Sequence, residues 1–132
     1  MLDLSVTRTV IDTMTAAAGM AVPDEACGLL LGQGAHIDAF RPTANVATDR
    51  ARHFEIDPAA LIAAHKVERD GGKRLIGFFH SHPTGLPEPS ATDRAQAARD
   101  GRVWAIATPD GAIGWFVSDV AGFMPLVPQI LP

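Results

Sequence analysis

Arg74-Leu75-Ile76-Gly77-Phe78-Phe79-His80-Ser81-His82-Pro83 is the stretch on which the fold turns. It follows Gly71-Gly72, is apolar from Leu75 to Phe79, and is too short for an ordinary helix, so it reads as a buried central strand over Arg74 to Phe79 that delivers His80 at its end. Downstream, Ser90-Ala91-Thr92-Asp93 opens a helix predicted over Ala91 to Asp100 and stopped by Gly101. Two strands follow, Val103 to Thr108 and Ala112 to Ser118, joined by the turn Pro109-Asp110-Gly111. Upstream, Asp57 as N-cap and Pro58 at the first helical position begin a helix that must stop before Gly71. Before it, Glu25 to Leu31 and Ala35 to Phe40 read as strands around Gly32-Gln33-Gly34, the first buried on both faces. Ser5 to Met20 carries Val6, Val10, Ile11, Met14, Ala17 and Ala18 at spacings of three and four, which predicts an amphipathic opening helix ending at Gly19. The proline-bearing tail from Phe123 to Leu131 reads as an edge strand or a wrapping segment. This order predicts an α/β fold, a mixed and mainly antiparallel sheet flanked by helices.

At 132 residues, 47% hydrophobic and 20% charged, the chain has the composition of one globular domain spanning 1–132. Its 15 acidic and 11 basic residues give a net charge of -4 with no Lys/Arg block, which argues against nucleic acid or an anionic membrane as the main partner. Cys27, the one cysteine, has no internal disulfide partner, and Met1-Leu2-Asp3 begins without a basic, signal-like region. No apolar run approaches the ~20 residues needed to cross a bilayer, and the expected location is cytoplasmic.

The chemistry gathers after the central strand. Residues two apart on an extended segment point to one side, so His80 and His82 can converge on a single metal ion; read alone, they equally suit surface or capping histidines. Asp93 is the third candidate, against the alternative that Ser90 and Asp93 form only a helix-capping box. Two imidazoles and one carboxylate leave a tetrahedral Zn²⁺ with an open position, the arrangement of a catalytic site. Such a site needs a base, and Glu25, leading into Cys27-Gly28-Leu29-Leu30-Leu31, is the candidate; its bland reading is a solvated residue at a strand start.

Taken together, Glu25-x-Cys27-Gly28-x-Leu30, His80-x-His82-Pro83 and, six residues on, Ser90-x-x-Asp93 resemble the JAMM/MPN-plus (JAB-domain) zinc metalloprotease family in its stand-alone prokaryotic form. The resemblance covers about Glu25 to Trp115, with support at Asn45, Phe54-Glu55-Ile56-Asp57-Pro58 and Ile76-Gly77-Phe78-Phe79. It implies a cytidine-deaminase-like MPN fold and one Zn²⁺ held by His80, His82 and Asp93. It further implies Glu25 as the acid/base acting on water and Ser90 as the hydroxyl that stabilises the oxyanion. By the same resemblance the activity is hydrolysis of a peptide or isopeptide bond after the C-terminal Gly-Gly of a ubiquitin-like or sulfur-carrier β-grasp protein. The extended tail of such a substrate could add beside a sheet edge, for which Arg50 to Ile56 is the candidate. Insertions that deubiquitinating relatives use to grip a second ubiquitin are lacking, which favours a small carrier adduct; a homodimer is left open. Two other readings stand beside this one. One is an MPN scaffold without activity, disfavoured because every site residue is present; the other is a RadC-like DNA-associated protein, disfavoured by Ser81, by the Glu25-x-Cys27-Gly28 lead-in and by the acidic charge. Asn45 reads either as a turn former or as a residue orienting a loop near the site. Cys27 reads as a small buried hydrophobe or, sharing a face with Glu25, as a neighbour of the metal. His36, His53 and His65 read as structural or surface residues, and Trp104 and Trp115 as core.

Overall fold

The computed structural model describes residues 3–132; Met1 and Leu2, which enter the reading of the first residues, lie outside the described part. Along the chain come β1 (Ser5–Thr7), α1 (Arg8–Ala21), β2 (Cys27–Gln33), β3 (His36–Thr43), α2 (Pro58–Arg69), β4 (Arg74–Ser81), α3 (Ala91–Gln96), β5 (Val103–Ala107), β6 (Ile113–Asp119), β7 (Gly122–Pro125) and β8 (Gln129–Leu131). No helix among the described residues is long and apolar enough to cross a membrane.

The predicted boundaries move most in three places, and the opening helix also runs on past Gly19 to Ala21. The opening helix starts at Arg8, where Thr7 caps it by accepting from the Val10 N–H, and Ser5–Thr7 is a strand because it finds partners on both sides, β3 and β8. Helix α3 ends at Gln96, short of Asp100: the backbone leaves the helix at Ala97, and the N–H groups of Arg99 and Gly101 bond to Ser118 on β6. The tail supplies two strands, and they sit at opposite ends of the sheet, whose order is β7-β6-β5-β4-β2-β3-β1-β8.

That order dictates the shape. Seven strand spacings of ~4.8 Å would set β7 and β8 more than ~30 Å apart in a flat sheet, yet the link from Pro125 to Gln129 reaches at most ~14 Å. The sheet therefore curls until its ends approach, and beyond the link the Gln129 N–H bonds to the Leu4 carbonyl as β8 joins β1. Strand pairing is mixed, antiparallel for β2·β3, β2·β4, β5·β6 and β6·β7 and parallel for β1·β3, β1·β8 and β4·β5.

Helix α1 fills the inner face, where Val10, Met14 and Ala18 meet Val6, Leu30, Ile37, Ile76, Phe79 and Trp115. Helix α2 covers the outer face, where Ala64 meets Cys27, Leu29, Leu31 and Leu75. Strand β2, between the two, is buried on both sides from Cys27 to Gly32, as its unbroken apolar run predicts. One irregularity interrupts its ladder with β4. Strand β2 pairs Leu30 with Gly77 and Leu31 with Leu75, so Ile76 is an extra residue, a bulge in β4. Leu75 and Phe78 then face α2, while Ile76 and Phe79 face α1. Phe79 is fully buried, worth roughly 1.5–3 kcal/mol, and anchors the strand end that carries the histidines.

Candidate metal centre

The register of β2 on β4 assembles the site. Cys27 pairs with His80, and beyond it the Ser81 N–H donates to the Ala26 carbonyl at 3.0 Å while Ser81 Oγ accepts from the Ala26 N–H at 2.8 Å. The alignment continues one residue further and brings Glu25 across from His82. On the other flank, β5 holds the same segment through the His82 N–H, 2.8 Å from the Ala107 carbonyl.

His80 is fully buried, with Phe54 stacked on its ring at 4.2 Å between centroids and Trp104 edge-on at 5.6 Å. Phe54 is a neighbour that sequence reasoning did not assign to the site; it stands 26 positions away and only the tertiary fold brings it there. His82 is also buried, and its Nδ1 donates to the Leu86 carbonyl at 2.8 Å, which leaves Nε2 with a lone pair for a metal.

Helix α3 brings the third group. Ser90 Oγ accepts from the Asp93 N–H at 3.0 Å, and Asp93 Oδ2 accepts from the Ser90 N–H at 2.9 Å, so the capping box is formed. The same Oδ2 lies 3.0 Å from His80 Nε2 and 3.2 Å from His82 Nε2, which are 3.2 Å from each other. A tetrahedral ion with bonds of ~2.0–2.1 Å sets its donor atoms ~3.3 Å apart, so this triangle is close to the required size. Capping and metal-facing roles, which compete on paper, are thus met by one carboxylate oxygen. Ser90 Oγ serves the cap as an acceptor, and its hydrogen stays available for donation.

Glu25 completes a second cluster with the same histidines, the three ligand atoms lying within 4.8 Å of one another. Its Oε1 is buried and has no hydrogen-bond partner among the described residues. The two carboxylates are pushed in opposite directions. Burial raises Glu25 to about 7, against the pull of His82. Burial also works against the Asp93 anion, but the bonds from His80, His82 and the Ser90 N–H prevail and hold it well below the usual carboxylate range. Burial lowers the pKa of His80, which favours the neutral imidazole that a metal requires. Two nitrogens, one ionised oxygen and a buried oxygen lacking a partner fit a divalent zinc-like ion with an open side.

A groove of about 530 Å³ opens over this cluster, with Glu25 and His82 at its floor, Ala51 and Arg52 on one wall and the segment from Thr84 to Ser90 on the other. The strand predicted over Arg50 to Ile56 does not form. That stretch is a turn-rich loop with a single antiparallel bridge, Asn45 to Ile56, its backbone turned by the Arg52 and His53 N–H bonds to the Asp49 carbonyl and held at Arg50 and His53 by Glu25 and Asn45. Cys27 is a buried hydrophobe, as one of its two readings has it: its thiol faces Thr43 Oγ1 and the Ala44 carbonyl, and burial raises its pKa.

Curled sheet, flanking helices and a histidine pair between two carboxylates define a JAB1/MPN-type domain. A family model of prokaryotic homologues of the JAB domain matches residues 7–119, and the chain belongs to that family. It is 38% identical over 91 residues to a desampylase of Haloferax volcanii, the match covering 67% of this chain and 66% of that protein. It is 31% identical over 94 residues to a probable TtuB-protein conjugate cleaving protease of Thermus thermophilus, covering 71% of this chain and 63% of that one. The chain thus spans just under two thirds of the length of these relatives. A solution structure from Desulfitobacterium hafniense superposes with a TM-score of 0.84 at 28% identity, over 97% of this chain and 92% of that one. A JAB1/MPN domain protein of Archaeoglobus fulgidus shares the fold at a TM-score of 0.67 and 19% identity, over 98% of each chain.

Proposed function

We propose that the chain is a zinc-dependent peptidase or isopeptidase that hydrolyses the bond after the C-terminal Gly-Gly of a ubiquitin-like or sulfur-carrier β-grasp protein. The observation that carries the reading is the triangle of His80 Nε2, His82 Nε2 and Asp93 Oδ2, 3.0 to 3.2 Å on each side, with Glu25 clustered on the same histidines; beside it, Asp93 is held ionised and burial raises Glu25. Pushing apart the pKa values of two acids in one site divides their roles. An anion at all working pH is suited to hold an ion, and His80, His82 and Asp93 are the residues that would hold it. A zinc ion there supplies Lewis acidity, polarising the scissile carbonyl and acidifying water.

The remaining work belongs to the chain. Glu25, titrating near neutrality at the floor of the groove, takes a proton from the attacking water and returns it to the leaving amine. The Ser90 hydroxyl, fixed by its cap, donates to the oxygen on which negative charge develops. The groove between Ala51–Arg52 and Thr84–Ser90 receives the thin tail, and its small residues Ala51 and Gly85 leave room for glycine. Relatives named desampylase and probable TtuB-protein conjugate cleaving protease support a substrate that is a protein conjugate.

The test is intact-mass spectrometry of a β-grasp carrier extended by one residue or a short peptide after Gly-Gly, incubated with the protein with and without a zinc chelator. Chelator-sensitive loss of the extension is expected. No cleavage of any such carrier or its lysine conjugate by zinc-loaded protein would overturn the reading in favour of a scaffold.

A further inference from the structure

The side-chain amide of Asn45 makes four hydrogen bonds. Its Nδ2 donates to the carbonyls of Glu25 and His53, each at 3.0 Å, and its Oδ1 accepts from the N–H groups of Ala47 at 3.0 Å and Glu55 at 3.1 Å. Both amide hydrogens and both lone pairs are used. The reversed amide would set donors against donors and acceptors against acceptors at every contact, so the partners fix its orientation. A turn-forming Asn bonds the backbone two residues on, as Asn45 does to Ala47, but its other three bonds span 8, 10 and 20 positions.

These bonds lie in the neck of the loop 46–55, closed beside them by the Asn45–Ile56 bridge and by the Val46 N–H to the Glu55 carbonyl at 2.9 Å. The loop also returns to Glu25, whose N–H donates to the Arg50 carbonyl at 2.7 Å. Both backbone groups of Glu25 are therefore held from this loop, whereas the sheet's own hold on β2 stops at Ala26. The same loop presents Ala51 and Arg52 to the groove.

We propose that Asn45 is a positioning residue for the proton carrier: one amide ties the backbone of Glu25 to the groove wall and sets the carboxylate over the histidine pair without touching either histidine. This rests on the reading of Glu25 as that proton carrier. A displacement of ~1 Å in a reacting group can lower a rate ~100-fold, so loss of Asn45 should act on turnover and leave metal binding nearly unchanged.

The experiment compares the parent with Asn45→Ala, Asn45→Asp and Glu25→Gln, all zinc-loaded, on the extended carrier. It measures kcat, KM, zinc affinity by competition with a chromophoric chelator, and Tm. For Asn45→Ala, kcat should fall about 30–100-fold with zinc affinity within about threefold of the parent, while KM rises as the groove wall at 46–55 loosens. Asn45→Asp keeps both acceptor bonds that close the neck and turns both donor bonds into oxygen–oxygen contacts, so it should share the loss of kcat; measured on protein that keeps the parent's zinc affinity, it decides the matter if the alanine variant fails to fold. Parent-like kcat in Asn45→Asp, or zinc affinity falling in step with kcat, would overturn the proposal while an inactive Glu25→Gln leaves the reading of Glu25 intact. A fully active Glu25→Gln would instead overturn that reading itself.

Discussion

The two walls of the groove are held in opposite ways. The wall at 46–55 hangs from polar contacts, chiefly the four bonds of Asn45, and those contacts lead to Glu25. The wall at 83–90 is held by stiffness and shape. Pro83, Pro87 and Pro89 restrict its backbone, its Leu86 carbonyl fixes His82, and its Pro87 carbonyl lies so close to Gly114 on β6 that any Cβ there would overlap it. In the proposed mechanism one wall sets the proton carrier and the other sets the donor atoms for a metal. The difference teaches that, on this proposal, proton transfer and metal binding are separately adjustable although their atoms share one floor.

Breaking the first arm should have the largest effect. Glu25→Gln should lower turnover by about 100- to 10,000-fold at pH 8 with zinc content unchanged by elemental analysis. The second arm is broken by Asp93→Ala, which should weaken zinc binding by more than about 100-fold, beyond the ~10–100-fold typical of outer-shell partners. Should zinc affinity instead collapse in Glu25→Gln and survive in Asp93→Ala, the two carboxylates would have exchanged roles, an outcome that the clustering of Glu25 with both histidines makes worth measuring. A gentler probe is Gly114→Ala. It displaces the Pro87 carbonyl and with it the Leu86 contact to His82, so zinc affinity should fall about tenfold while the loop 46–55 keeps its amide-exchange protection.

The smallest effect concerns stability. Glu25 titrates near 4.5 when unfolded and about 7 in the fold, so its ionisation opposes folding as pH rises between those values and does so fully above 7. Metal-free Glu25→Gln should therefore match the parent near pH 4 and exceed it by up to about 3 kcal/mol at pH 8, read from denaturant unfolding.

Much of the fold was legible because its signals are local. Asp57-Pro58 caps and starts α2, Gly71 follows its end, and the apolar runs of β2 and β4 announce buried strands. Signals that depend on distant partners were not. Nothing in Ser5-Val6-Thr7 separates a strand from the helix whose spacing it continues, because the choice is made by β3 and β8. The early end of α3 is likewise set by Ser118, a buried hydroxyl two strands away that takes the Arg99 N–H. At the site, spacing and residue type made His80, His82 and Asp93 candidates beside surface and capping roles, the family resemblance chose among these, and the fold brings their donor atoms together. Phe54 against His80, and the reach of Asn45 to Glu25, are visible only after folding, since aromatic stacking and amide bonding carry no signature in the intervening sequence.

The bulge at Ile76 has a further meaning that is arithmetical. A regular strand presents to one side the residues separated by an even number of steps. Leu75 and His80 are five steps apart, which in an uninterrupted strand would put them on opposite sides; the extra residue restores their agreement, and Leu75, Phe78, His80 and His82 share the outer face. If the slip were ironed out with its residue retained and Leu75 kept in place, both imidazoles would rotate into the layer filled by α1, and Ser81 would take their place. The parity of a residue count thus orients this site, and a change in strand length could invert it with every donor residue still present.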